Sequence, residues 1–115
     1  ACYTRESGLQ ILHRVEDATE AAELHCDRRD LGQGGVLVVV PIPLEAELDS
    51  SRINQAIENS LTEVRLRGLA GPQVTPHVLA AVEKATEGES VAANLALAEH
   101  NADIAGQIAV EIATP

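Results

Sequence analysis

Tyr3 is the only aromatic residue among the 115, because the chain contains neither Phe nor Trp, and Met is also missing. Any hydrophobic core must therefore be built from Leu, Ile, Val and Ala. A chain of this length is long enough for one compact domain with a core of its own and too short for two. Because such side chains pack closely without large rings, we expect layers of an α/β fold.

The charge of the chain limits its partners. The formal net charge is −10, and the seven arginines and one lysine are scattered rather than gathered into a stripe, so nucleic-acid binding is not expected. The longest apolar run, "GVLVVVPIP", is too short to span a bilayer, and the first residues lack the pattern of a signal peptide. We therefore expect a cytoplasmic protein without a membrane partner.

Few residues point to metal, redox or nucleophilic chemistry. Cys2 and Cys26 are too few for a disulfide scaffold or a zinc ribbon, which predicts reduced thiols. The histidines and carboxylates form no H-E-x-x-H pair and no acidic calcium loop, so no metal ligand and no catalytic residue is predicted within the chain. Lys84, the single lysine, lies on the charged face of its segment, where a solvated role is expected rather than a nucleophilic one.

Two segments carry the signal of β-strands. In the first, Leu9, Ile11 and Val15 alternate as in a half-buried strand. In the second, the consecutive β-favouring residues 36–40 predict a strand covered on both faces, and Pro41 and Pro43 end it because neither has a backbone donor.

Four segments carry helix signals, so the predicted local order is βαβααα. The clearest follows Asp49, where the apolar positions are spaced by four, four and three residues up to Gly68. An earlier helix is predicted from Asp17 to Gly32, a later one from Thr75 to Gly88, and a last one is capped by Ser90.

Two amides interrupt the apolar stripe of the last predicted helix. Asn94 and Asn101 occupy the same series as Leu97, Ile104 and Ile108. A buried amide without partners costs about 1–3 kcal/mol, so each must bond to the backbone, to another side chain or to a ligand. One interpretation is that both tie the helix to a neighbouring loop. The other is that Asn94, about one turn inside the helix, binds a nucleobase edge that presents a donor beside an acceptor.

Several stretches together resemble one family. "YTRESGL…HRV", "GGVLVVVPIP", "LDSSRINQAIENSL", the "VTP" of residues 74–76 and "ESVAANLALAEHNADIAGQIA" occur in the order and spacing of pseudouridine-5'-phosphate glycosidases, the indigoidine synthase A-like family. The resemblance covers essentially all of residues 1–115, which look like the C-terminal portion of a single, longer domain of that family.

The resemblance implies a structure and a reaction. The expected fold is the C-terminal part of a three-layer α/β/α fold with a mixed sheet. The expected reaction is the reversible cleavage of the carbon–carbon glycosidic bond of pseudouridine 5'-phosphate to uracil and ribose 5-phosphate, in a manganese-dependent homotrimer. The family's catalytic glutamate and lysine and its metal-holding aspartate are expected upstream of this chain, so the chain alone should not catalyse.

Asn94 is the one functional residue that the resemblance carries over. "AANLAL" is similar to the family's "ANIAL", whose asparagine is expected to contact uracil, whereas Asn101 is expected to anchor the helix. The family usually has other residues at Val40, Glu87 and Glu89. These departures favour an alternative from a different class, a non-catalytic acidic module for binding or assembly that keeps the family's helices.

Overall fold

In the computed structural model, which describes residues 3–6, 8 and 10–114, four α-helices provide the regular structure. They are α1 (Ala18–Asp30), α2 (Ser50–Arg67), α3 (Val74–Ala85) and α4 (Glu89–Ala113), with short 3₁₀ turns at Leu44–Ala46 and Gly71–Gln73. None of the described helices has both the length and the apolar character needed to cross a membrane.

The predicted sheet is wrong, because residues 10–15 and 36–40 form no strand in the described part of the chain. Leu9 lies outside the described residues. A strand needs a neighbouring strand to pair its backbone donors and acceptors, and the described residues supply none for either segment. The segment 36–40 is also not covered on both faces, since Leu37 is 88% exposed and Val39 59% exposed. The α/β class and the order βαβααα are therefore replaced by an all-helical order.

The first two predicted helices are confirmed together with their caps. Asp17 caps α1 by accepting a hydrogen bond from the Glu20 backbone N–H at 2.9 Å, and the chain leaves the helix through Gly32 at φ +67°. Asp49 caps α2 by accepting from the Arg52 N–H at 2.7 Å, and Gly68 ends it in the left-handed conformation. The start and the end of each of these two helices therefore follow from short-range chemistry that the sequence displays.

The starts of the last two helices differ from the prediction. The N-cap of α3 is Gln73 rather than Thr75. The spacing predicts that Leu79 and Val82 face inward; Val82 is fully buried, but Leu79 is 46% exposed. Helix α4 begins at Glu89, and the Ser90 N–H donates to the Thr86 hydroxyl at 3.2 Å, so Thr86 and not Ser90 supplies the capping oxygen. Thr86 is buried at the junction, where it is also the C-cap of α3 and donates its hydroxyl to the Val82 carbonyl at 2.8 Å.

The chain divides into two compact units. Unit 1 comprises Ala1–Ser7 and Pro41–Leu97, and unit 2 comprises Gly8–Val40 and Ala98–Pro115. The core of unit 1 is made of small and branched side chains from four segments plus the ring of Tyr3. Its buried members are Tyr3, Ile42, Ile53, Ala56, Val82 and Ala93.

Unit 2 buries much less. Among its described residues only Ala21 and Ala22 of α1 are buried apolar side chains. Leu12 and Leu37 are 96% and 88% exposed. Within unit 2 the segment 36–40 and the α4 residues 101–112 line an open apolar groove of about 390 Å³.

Candidate functional site: the Asn94 amide

Asn94 lies in unit 1, near the start of α4, and its side chain is half-buried. The preceding residue Ala93 is buried in the core, which fixes the helix face on which Asn94 stands. The helix start beside it carries the positive end of the helix dipole, but the N–H groups of residues 89–91 already donate to oxygens of Thr86 and Gly88. The sequence-based placement of Asn94 about one turn inside the helix is confirmed.

The side chain of Asn94 is held by Tyr3. Its Nδ2 atom donates a hydrogen bond to the Tyr3 phenolic oxygen at 3.2 Å, across 91 positions of sequence. Tyr3 is 8% exposed and is part of the core of unit 1. The one aromatic ring of the chain is thus packed in the core, while its phenolic oxygen forms a hydrogen bond with the Asn94 amide.

The segment that carries Tyr3 is itself fixed at several points. The Tyr3 carbonyl accepts from the Leu48 N–H at 2.9 Å. Arg5 donates its backbone N–H to the Glu47 carboxylate at 2.6 Å and its Nη1 to the Ile42 carbonyl at 2.9 Å. These bonds join residues 3–5 to the Pro-rich segment that enters α2 and so fix the backbone that carries the phenol.

The start of α4 is held from α2. Arg52 donates its Nε to the Ala85 carbonyl at 2.9 Å and its Nη1 to the Glu89 carboxylate at 3.0 Å, and its Nη2 lies 3.9 Å from a Glu87 oxygen. Glu87 and Glu89 stand at two of the positions where the family resemblance leads us to expect other residues. Since the Arg52 guanidinium contacts both carboxylates, the fold of unit 1 accommodates these two acidic residues.

The Asn94 amide retains unused hydrogen-bonding capacity. An Asn side chain has two donors and an acceptor oxygen, and within the described part of the chain only one donor is engaged. The remaining Oδ1 acceptor and N–H donor are a complementary pair for a ligand edge with a donor beside an acceptor. A nucleobase imide edge is of this kind.

Asn101 lies elsewhere. It faces the same way as Ile104 and Ile108, as the spacing predicts, but all three line the open groove of unit 2 and Asn101 is exposed. Its side chain forms no hydrogen bond to another described residue. The expectation that Asn101 is buried is therefore wrong, and the helix-anchoring role expected for it has no described partner.

The other polar candidates are not assembled into a site. Lys84 is exposed in the last turn of α3, and Arg14 pairs with Glu16 at 3.0 Å on the surface. Where the structure describes the chain, no group of three or more His, Cys, Asp or Glu side chains could hold a metal ion.

The sequence alone did not associate Tyr3, Arg5 or Arg52 with Asn94. Tyr3 and Arg5 belong to the quoted run "YTRESGL", yet nothing in that run indicates contact with a helix that starts at residue 89. The only available signal was that a lone aromatic in a core without other rings must pack among the branched side chains.

Comparison with known proteins identifies the family. Residues 1–111 match the family described as indigoidine synthase A like protein, and the chain belongs to it. A pseudouridine-5'-phosphate glycosidase of Caldanaerobacter subterraneus subsp. tengcongensis is 44% identical over 113 residues, 97% of this chain and 37% of the relative. One of Herpetosiphon aurantiacus is 41% identical over 113 residues, 97% of this chain and 37% of the relative.

A solved structure shares the fold. The crystal structure of the prealnumycin C-glycosynthase AlnA in complex with ribulose 5-phosphate superposes with a TM-score of 0.84 over 95% of this chain and 36% of that chain, at 24% identity. The curated relatives and this neighbour bear the names of enzymes, a glycosidase and a C-glycosynthase. Our chain spans little more than a third of their length, and its assignment to the C-terminal portion of one domain stays a prediction.

Proposed function

We propose that this chain is part of an enzyme that cleaves pseudouridine 5'-phosphate, and that Asn94 binds the uracil ring. In the reaction, water adds across the carbon–carbon glycosidic bond, so that the ribose carbon gains oxygen and the uracil carbon gains hydrogen. The products are uracil and ribose 5-phosphate, and the reverse reaction releases the water. The observation that carries the proposal is the family membership of residues 1–111 together with the unused Oδ1 and N–H of Asn94.

The chemistry explains why a base contact matters. A carbon-linked base cannot be released by protonating a leaving oxygen, as in ordinary glycoside hydrolysis. An enzyme must therefore hold the base while its ring carbon takes up a proton, and a bidentate amide contact restrains the base in its plane. Within this chain we assign only binding to Asn94. The glutamate and lysine chemistry implied by the family resemblance belongs to sequence outside these residues.

Manganese dependence and a homotrimeric state belong to the same proposal. The described residues do not fit a metal site, because they contain no cluster of three potential ligands, and no step is assigned to a metal here. Loss of activity on chelation with recovery on adding Mn²⁺, and a native mass of three subunits by light scattering, would support both parts.

The test compares two asparagines on one helix in the protein at its full native length. Asn94→Ala should lower kcat/KM for pseudouridine 5'-phosphate by about 10- to 100-fold, as expected for loss of a polar ligand contact. Asn101→Ala, an exposed position on the same helix, should change it less than twofold. A wild-type protein that neither cleaves pseudouridine 5'-phosphate nor forms it from the two products would overturn the proposal.

A further inference from the structure

We propose that Tyr3 is a positioning residue for base recognition, because its phenol sets the orientation of the Asn94 amide. This inference rests on the proposed function above. It starts from one contact, the 3.2 Å hydrogen bond from Asn94 Nδ2 to the Tyr3 phenolic oxygen. An Asn amide can turn over and exchange its oxygen with its nitrogen, and the partner that fixes one atom decides what the other presents.

In the structure the Tyr3 oxygen accepts from the nitrogen side of the amide and holds it in this orientation. With one N–H of Nδ2 committed to the phenol, Oδ1 is left as the acceptor for another partner, beside the second N–H. A ligand then needs a ring N–H facing Oδ1 and an acceptor facing Nδ2. The uracil ring has N–H donors flanked by carbonyl oxygens, so this orientation selects an imide over a base whose corresponding nitrogen is only an acceptor.

The phenol is suited to this role because it cannot move freely. Tyr3 is 8% exposed in the core cluster that includes Ile42 and Ile53, and its backbone carbonyl is bonded to the Leu48 N–H. The half-buried Asn94 side chain has no other described side-chain partner that would hold the amide in one orientation. Removing the phenolic oxygen should therefore free the amide while leaving the apolar packing of the ring in place.

The experiment separates the two halves of the substrate. In the full-length protein, uracil and ribose 5-phosphate are used separately as product inhibitors of the wild type, Tyr3→Phe, Asn94→Ala and the double variant. Tyr3→Phe should weaken inhibition by uracil about five- to tenfold and leave inhibition by ribose 5-phosphate within twofold. Unchanged inhibition by ribose 5-phosphate also shows that the variant is folded.

The double variant tests whether Tyr3 acts through Asn94. Once Asn94 is Ala, adding Tyr3→Phe should not weaken uracil inhibition further, because the group that Tyr3 orients is gone. KM for pseudouridine 5'-phosphate should rise in Tyr3→Phe by more than kcat falls.

Three results would overturn the inference. Equal weakening of uracil and ribose 5-phosphate inhibition would make Tyr3 a general structural residue. Full additivity of the two substitutions would show that Tyr3 does not act through Asn94. An unchanged uracil response in Tyr3→Phe, beside a weakened one in Asn94→Ala, would reject the role of Tyr3 and keep the proposed function. A wild type that is inhibited by neither product and does not cleave the substrate would overturn both.

Discussion

Arg52 on α2 donates to the Glu89 carboxylate at the start of α4 at 3.0 Å, and the same guanidinium donates to the Ala85 carbonyl at the end of α3. One side chain thus joins three helices at the junction that leads to Asn94. The carbonyl it reaches is one of the orphan acceptors of a helix C-terminus, which otherwise needs water or a cap.

Replacing Arg52 should loosen this junction. We expect Arg52→Lys to lower the free energy of unfolding by about 1 kcal/mol, because Lys cannot reproduce the fork of donors. The effect is modest since the side chain is 41% exposed. Urea unfolding of the chain, followed by the fluorescence of its only aromatic residue, Tyr3, measures the change. Arg65→Lys, in the last turn of α2, is the matched control and should cost less than about 0.5 kcal/mol; equal effects at the two positions would contradict the role of Arg52.

Glu87 carries the only positive φ of a non-glycine residue within the described part of the chain, at +53°. A β-carbon in this conformation costs about 1 kcal/mol, which glycine avoids. Glu87→Gly should therefore raise the unfolding free energy by about 1 kcal/mol relative to Glu87→Ala, which loses the same carboxylate but keeps the β-carbon. The two variants are compared by urea unfolding. A Gly variant no more stable than the Ala variant would show that the backbone at residue 87 is not strained.

Ile42 is fully buried at the point where the Pro-rich segment enters the core of unit 1. Ile42→Ala should lower the unfolding free energy by about 2–5 kcal/mol, the usual cost of a cavity at a large aliphatic residue. Leu12→Ala is the control, because that side chain is 96% exposed, and it should change the free energy by less than about 0.5 kcal/mol. Thermal or urea unfolding read by Tyr3 fluorescence suffices, and a tolerated Ile42→Ala would mean that the core does not depend on this residue.

The two units should differ in hydrogen exchange. Helix α2 buries Ile53, Ala56, Ser60 and Val64, whereas the buried residues of α1 are Ala21 and Ala22. Because protection of backbone amides follows the apolar surface that must be exposed on local opening, amides of α2 should exchange at least tenfold more slowly than those of α1. Mass spectrometry of peptides from both helices measures the rates. Equal protection would show that α1 is stabilised by contacts other than burial of its own side chains.

Much of the helical structure could be predicted because its signals are local. Asp17 and Asp49 directly precede their helices, and each accepts a hydrogen bond from the backbone N–H three residues further on. Gly68 ends α2 with a positive φ that only glycine adopts without cost. The prediction that Leu79 of α3 faces the core is wrong for a reason that lies in the tertiary structure. Val78 and Val82, rather than Leu79, pack against the core, and the direction of that face depends on where α2 lies.

The sheet was the largest error, and it has a physical reason. The β-branched run 36–40 has the propensity of a strand, but a strand exists only when another segment pairs with its backbone, and sequence propensity does not supply that partner. The segment has no regular secondary structure, and the side chains of Leu37, Val38 and Val39 remain exposed.

By itself the sequence determined what short-range chemistry decides: the helix caps, the glycine stops, a core without rings other than Tyr3, and a family motif that singles out Asn94. The tertiary structure alone decided which distant groups meet. Tyr3 and Asn94 are separated by 91 positions, and Arg52 and Glu89 by 37. Neither pair has a signal in the spacing of residues, because such contacts arise only when packing of the apolar faces has brought the segments together.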